Sequence, residues 1–444
     1  MRKVLLICEH IAPEQAVASI RWTKIAKYLK ANHDVQISVL TNKKYYDLEK
    51  DFVDYKIDKM LEKEMKVFDN YYEGECNSYF KMRKVFRVFK NIIKRKPAVE
   101  TSDIKTDINT KVQAVQNVRL QRSLREAFIY ELKTYLDAHD LRKYILKKNL
   151  DYDVVVSSYG PAWTHLVAEK VKKKNKKTFW IADFRDPYAQ VVDPPLFYKR
   201  HKKFTSKHCK KADVLTVVLE EMTLFQKKEQ RVELLTNGYD PAEAKEPLKP
   251  VKFDSVFTGE LYSGRRDLSE FFHALRELID EGKIDEKDIV VHYAGKQNEI
   301  IIAQAEKWNM QNNVEAHGYV SREKSLALQQ SAAILIQASW NTVKEKTCWT
   351  GKMYEYMMAK KPIVYMVEGD EPYSLPSKLM HRLGGVCYEK SRYDETYPEM
   401  KKYILNKYLE WKSTGNVTID AEEEYIRQYE YPEIAEKVWK FFTE

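Results

Sequence analysis

The chain reads as α/β, built from two tandem Rossmann-like, doubly wound domains with a cleft between them, on three observations. It has 444 residues, too many for one core at roughly 100–200 residues per domain. Short apolar runs of strand length alternate with helical patterns along most of it, which is the signature of crossover units and a parallel sheet. The alternation breaks at Pro241–Lys252, a stretch with three prolines and several charges that reads as a linker. The domains are therefore expected at 1–240 and 253–424.

In the first half, Val4–Cys8 predicts a buried strand, Glu14–Lys30 a helix carrying Ile20, Trp22, Ile25 and Leu29, and Val35–Thr41 a returning strand. Ligands of such sheets bind beyond the carboxyl ends of the strands, so the loop Glu9-His10-Ile11-Ala12-Pro13 is a candidate site, with His10 as well suited to a structural role as to a functional one. Residues 97–110 read as a loop and 112–148 as a long helix. Val154–Ser158 and Thr178–Ala182 predict further strands, and the second ends on Asp183-Phe-Arg-Asp-Pro187. Two carboxylates and an arginine at a strand's carboxyl end stand where α/β sheets place their chemistry, although an Arg–Asp pair can equally be structural. Val214–Val218 and Val232–Leu235 complete this half.

In the second half, strands are expected at Ser255–Thr258, Ile289–Ala294, Val314–His317, Ala333–Gln337, Ile363–Val367 and Gly385–Tyr388. Thr258-Gly-Glu-Leu-Tyr-Ser-Gly-Arg-Arg-Asp267 joins the first to its helix. Its glycines let backbone approach an anion, and Arg265 and Arg266 offer forked donors for phosphate oxygens. The most informative stretch is Thr350-Gly-Lys-Met-Tyr-Glu-Tyr-Met-Met-Ala-Lys-Lys-Pro-Ile-Val-Tyr-Met366. Its methionines and tyrosines fall at helical spacing, and Pro362 ends the helix and opens a buried strand. Gly351 and Lys352 begin that helix, where free N–H groups and the dipole favour an anion. Glu355 is the lone carboxylate on it. An amphipathic helix with a solvated Lys and Glu is the alternative.

The formal charge of +10 and pI near 8.9 call for an anionic partner. Residues 81–96 hold eight basic residues and no acid, with Val85, Phe86, Phe89, Ile92 and Ile93 on one helical face. Such a helix suits an anionic membrane surface, or packs its apolar face on its own domain. A second basic run, Lys199–Lys211, comes with no nucleic-acid recognition module and no interleaved aromatics, so nucleic acid is not expected. Mean hydropathy is −0.59, and no apolar run approaches the ~18 residues of a spanning helix. The five apolar residues after Lys3 are too few for a signal peptide, so a cytoplasmic chain is expected. The five cysteines are far apart and without metal-binding spacing, which predicts reduced thiols and no structural zinc.

Lys352-Met-Tyr-Glu-Tyr-Met-Met-Ala-Lys-Lys-Pro-Ile-Val364 resembles the lysine, aromatic, glutamate, small helix, glycine-lysine-proline signature of glycosyltransferase family 4, retaining enzymes of the GT-B fold. Ile181-Ala-Asp-Phe-Arg-Asp-Pro187 resembles a motif of one branch of that family, Asn237-Gly-Tyr-Asp240 its hinge, and His317-Gly-Tyr-Val320 the stretch whose backbone reads the nucleobase through Tyr319 and Val320. The resemblance implies that Glu355 holds the ribose hydroxyls of a nucleotide sugar. It further implies that Arg265, Arg266 and Lys352 neutralise the diphosphate, with Gly259 and Gly351 allowing close approach.

Asp183, Arg185 and Asp186 would then act at the sugar or acceptor, Arg185 held between the two acids, with His10 and Arg21 nearby. The terminal helix, 425–444, would pack back on the first domain. Three departures accompany the resemblance. The family's first glutamate is replaced by Thr347, with Glu345 close by. Arg185 stands about where many members have a histidine. Ala16-Val17-Ala18-Ser19 replaces a glycine-rich stretch.

The expected function is that of a metal-independent hexosyltransferase without cofactor, moving a sugar from a nucleotide-sugar donor to a glycan or lipid-linked acceptor, peripheral on the inner face of the membrane through 81–96. A nucleotide-sugar epimerase on the same scaffold, or a catalytically silent nucleotide-sugar or membrane-binding protein, are the alternatives.

Overall fold

The structure is a computed structural model that describes residues 1–14, 16–43, 57–79, 81–84, 122–190, 192–220, 222, 224–244, 248–343, 345–347 and 350–443. Most of the basic run 81–96, the loop 97–110 and the start of the helix expected from 112 lie outside these.

The chain divides into two units, Met1–Thr236 with Ala435–Glu444, and Asn237–Ile434. In the first, seven parallel strands lie in the order β3-β2-β1-β4-β5-β6-β7. They are β1 (Arg2–Ile7), β2 (Val35–Asn42), β3 (Asn70–Gly74), β4 (Val154–Ser158), β5 (Phe179–Phe184), β6 (Val214–Val217) and β7 (Val232–Leu234). The helices used below are α1 (Val17–Asn32), α2 (Leu124–Lys147) and α3 (Trp163–Lys174). β4 reads Val-Val-Val-Ser-Ser and is buried throughout, as a strand covered on both faces must be. Trp163, Trp180, Phe184 and Leu166 fill the core beside it.

In the second unit six parallel strands follow the order β10-β9-β8-β11-β12-β13. These are β8 (Phe253–Thr258), β9 (Ile289–Ala294), β10 (Val314–Ala316), β11 (Ile334–Trp340), β12 (Ile363–Glu368) and β13 (Val386–Glu389). Its helices include α4 (Ser269–Asp280), α5 (Asn298–Glu306), α6 (Arg322–Ser331), α7 (Gly351–Ala359) and α8 (Tyr393–Thr414), and α9 (Tyr431–Phe441) leads back into the first unit. Phe271, Phe272, Leu275, Tyr293, Met366 and Met400 are among its core.

Both sheets reverse direction beside their first strand, the arrangement of doubly wound nucleotide-binding sheets. The reversal lies between β1 and β4 in one unit and between β8 and β11 in the other. Each reversal opens a crevice at the strands' carboxyl ends, one ending at Ser158 and the other at Thr258.

The edge strand β3 is absent from the sequence-based expectations, because Asn-Tyr-Tyr-Glu-Gly alternates no apolar face. The long helix begins at Leu124, where Ser123 and Glu126 exchange side-chain to backbone hydrogen bonds in a capping box. The chain enters the second unit at Asn237, ahead of the proline-rich stretch. Of the terminal helical region, residues 435–444 group with the first unit and 425–434 with the second.

Candidate functional site

At the reversal in the second unit, α7 presents Glu355 half-buried on its first turns. Gln329 Nε2 donates to Glu355 Oε2 at 2.9 Å and to Thr258 Oγ1 at 3.0 Å, so one amide ties the carboxylate to the end of β8. Lys352 Nζ donates to Glu355 Oε2 at 2.8 Å and to Ser325 Oγ at 3.3 Å, and Arg322 Nε lies 3.8 Å from Oε1. Burial pushes the Glu355 carboxyl up, but Lys352 and Arg322, helped by the Gln329 amide, outweigh it and hold the group below the ordinary glutamate value. The result is an ionised acceptor at neutral pH. The ammonium of Lys352 keeps a third donor beyond the two in use.

Behind Glu355, the Tyr356 hydroxyl accepts from Thr258 N at 3.3 Å and donates to Ile336 O at 3.0 Å, fastening β8 to β11 across the reversal. Thr350, the residue that opens α7, makes no side-chain hydrogen bond to the first turn, and no acid lies in that turn. The loop after β8 is held in unusual backbone conformations. Tyr262, Ser263 and Gly264 follow one another at φ 49°, 54° and 87°, and Gly259 stands at φ 141°. For the two non-glycine residues this costs of order 1 kcal/mol each or more, and the loop keeps the shape because its neighbours over-determine it.

Those neighbours are aromatic and basic. The Arg265 guanidinium lies 3.8 Å from the centre of the Trp340 ring and pairs with Glu345, and the Tyr262 ring meets Trp340 edge-on. Arg266 stacks 4.7 Å from the Tyr262 ring, donates to Glu260 O at 2.9 Å, and has its Nε buried without a partner. A Cβ on Gly295 would come within 2.2 Å of Gly259 O, so the loop after β9 must carry glycine there. Glu345 is thus the brace of Arg265, while Thr347 shares a 2.6 Å hydrogen bond with Ser339. Tyr319 is exposed with Lys296 5.3 Å from its ring, and Val320 is half-buried.

In the first unit the structure separates residues that one sequence motif holds together. Asp183 is fully buried, and its two oxygens accept from Arg21 Nη2 at 2.8 Å, Trp22 Nε1 at 2.7 Å, Thr216 Oγ1 at 2.7 Å and Ser158 Oγ at 2.9 Å. Burial raises its pKa, and Arg21 with these donors more than offsets that, leaving it lowered. Arg21, equally buried, also donates to Leu235 O at 2.6 Å. The pair joins α1, β4, β5, β6 and the end of β7, a buried position that ties these elements together.

Arg185 is not held between two acids. It forks onto the Tyr159 carbonyl at 2.8 and 2.9 Å, lying where a side chain on Gly160 would otherwise stand. Asp186 is exposed beside it. His10 pairs with Glu14 at 3.0 Å at the margin of a cavity of about 380 Å³. This cavity opens at the carboxyl ends of β1, β2 and β3 and is lined in part by Glu9, Glu14, Asn42, Lys43, Tyr71 and Glu73.

Sequence reasoning named Lys352 but missed the residues of α6 that brace Glu355. Their signal was present in α6, where Arg322, Ser325 and Gln329 recur at helical spacing and two of the three are buried polar side chains. Trp340 left no comparable trace, because an aromatic at a strand's end reads as core.

No protein-family model matches the chain, and no curated protein does. Solved structures do, along nearly the whole length of both partners. TarM shares 13% identity at a TM-score of 0.58, covering 100% of this chain and 99% of its own. A UDP-forming α,α-trehalose-phosphate synthase from Burkholderia xenovorans shares 12% at 0.58, covering 99% and 98%. The sucrose-phosphate synthase of Thermosynechococcus elongatus shares 11% at 0.56, covering 100% and 98%. At these identities the likeness is one of fold, and it extends over both units.

Proposed function

We propose that the chain is a retaining glycosyltransferase that moves a sugar from a nucleotide diphosphate sugar to a hydroxyl of a glycan or lipid-linked acceptor. The observation that carries this reading is Glu355: an ionised, half-buried carboxylate fixed by Gln329 and Lys352 at the carboxyl-end crevice of a doubly wound sheet. A ribose diol supplies two donors to such an acceptor. Its diphosphate then falls to the uncapped start of α7, Lys352, and Arg265 and Arg266 on the loop after β8. The two synthases above, each named for making a sugar phosphate, support the same class.

In this mechanism the bond from the anomeric carbon to the diphosphate oxygen breaks as the bond to the acceptor oxygen forms on the same face. The acceptor's proton passes to the departing phosphate. Cationic side chains stabilise the charge that develops, usually the largest single contribution to catalysis in sites of this kind, and no metal is called for. Asp186 and Arg185 orient sugar or acceptor, and the acid-lined cavity of the first unit receives acceptor hydroxyls.

The reading is tested by calorimetry with nucleoside diphosphates in metal-free buffer. Glu355→Ala should weaken binding by about 1.5–3 kcal/mol, the value of hydrogen bonds to a charged group. Equal affinity for both proteins would take Glu355 out of the site. Transfer products should keep the donor's anomeric configuration.

A further inference from the structure

Across the sheet from these residues, β10 is an edge strand, and Glu315 on it stands directly opposite His292 on β9. His317 follows two residues later on the same face, its N–H continuing the ladder to Tyr293 O at 2.8 Å. His292 Nδ1 lies 3.1 Å from His317 Nε2 and 3.3 Å from Glu315 Oε2, and one ligand atom from each of the three lies within 4.8 Å of the others. On the far side of the same ring, His292 Nε2 faces Asp254 Oδ1 of β8 at 3.5 Å.

From this geometry we infer that His292, Glu315 and His317 form a binding site for a divalent transition metal ion of the zinc class. Tetrahedral zinc with bonds of about 2.0–2.1 Å to nitrogen and oxygen has ligand-to-ligand edges of roughly 3.3–3.4 Å. The two separations around His292 Nδ1, 3.1 and 3.3 Å, are close to those edges, and the third lies within 4.8 Å, so drawing the side chains together around an ion completes the set. Asp254, with Oδ1 3.5 Å from His292 Nε2, stands where it can take up the second role once the ring settles on an ion. Imidazoles that bind metal almost always donate their other N–H to a carboxylate, a backbone carbonyl or water, which sets the tautomer and strengthens the ligand.

Two imidazoles and one carboxylate select zinc, copper, nickel or cobalt over magnesium and calcium, which prefer all-oxygen sites. Glu315 is 61% exposed, so the site has an open approach and a fourth position for water. None of its residues belongs to the diphosphate-facing set, although His317 opens the stretch His317-Gly-Tyr-Val320 expected to read the nucleobase; the metal titration is read without nucleotide, so its outcome stands apart from that of the transferase reading.

The test uses the full chain, without an affinity tag containing histidine, stripped with EDTA and titrated calorimetrically with ZnCl2. One equivalent should bind, and MgCl2 should give no heat. His292→Ala, His317→Ala and the exposed Glu315→Gln should each weaken zinc binding by about tenfold or more, and Asp254→Asn by about tenfold through the outer contact. Cobalt(II) should give the visible absorption of a four-coordinate site, lost in His317→Gln, with unchanged circular dichroism confirming that each variant is folded. The inference fails if zinc gives no saturable binding, or if binding survives both the Glu315→Gln and the His317→Gln change.

Discussion

Asp183 and Asp186 sit three positions apart on one loop-end motif and have opposite fates. Asp183 is enclosed by Arg21, Trp22, Thr216 and Ser158, and Asp186 is exposed to solvent. Removing one member of a buried ion pair strands the other, so Asp183→Asn should cost about 3–5 kcal/mol, measured as a shift in the urea midpoint. Asp186→Asn should leave that midpoint unchanged and instead lower turnover, with nucleotide affinity within a factor of about two, since its action would fall in the transition state. A fully active Asp186→Asn enzyme would reduce the motif to scaffold. Sequence shows the shared motif but not this division, because the partner that decides it, Arg21, lies 162 positions away. Glu355 was legible because its signal is local, a lone acid among apolar residues at helical spacing.

Among the elements, α3 carries two titratable groups whose protonation opposes folding in different ranges of pH. His165 is buried against the Ser157 hydroxyl at 2.7 Å, and burial holds its pKa at about 3 against an ordinary 6.5. Glu169 accepts from His208 and Lys173. Burial raises its carboxyl, but these two bonds outweigh burial and bring it to about 2 from 4.5. Both folded-state values are lower than the unfolded ones, so both contributions are intact at neutral pH and are lost as protons bind the unfolded chain preferentially. Stability should therefore fall below pH 6.5 through His165, then more steeply below 4.5 through Glu169. The second component is at most roughly 3 kcal/mol. Denaturant titrations across pH should show both stages, and Glu169→Gln should flatten only the lower one. Strands were easier to anticipate than helix starts, since β4 opens on three valines and β12 on five apolar residues. The start of α2 depends on the small Ser123–Glu126 signal, and β3 depends on pairing with β2 for lack of any pattern of its own.

For the whole molecule, part of the basic excess falls in the acid-free segment 81–96. We propose that this segment attaches the protein to an anionic membrane surface; among the described residues no helix is long and apolar enough to cross one. The protein should sediment with anionic vesicles and release as salt rises, since exposed charges are screened within about 10 Å at 0.1 M. Changing Lys84, Arg87 and Lys90 to Glu should abolish this, and a triple variant that still sediments normally would move attachment elsewhere.

The path of the chain has its own consequence. The second unit is an insertion in the first: its two ends pair at Tyr239 and Tyr429–Tyr431 through backbone bonds of 2.9 Å. The first unit regains the chain only at Ala435, where Trp439 stacks on His33 at 4.0 Å and Glu436 bonds its ring at 3.0 Å. During synthesis, the unit begun first must therefore wait on the ribosome, its α1 face uncovered, while the unit begun later is made and can fold to completion.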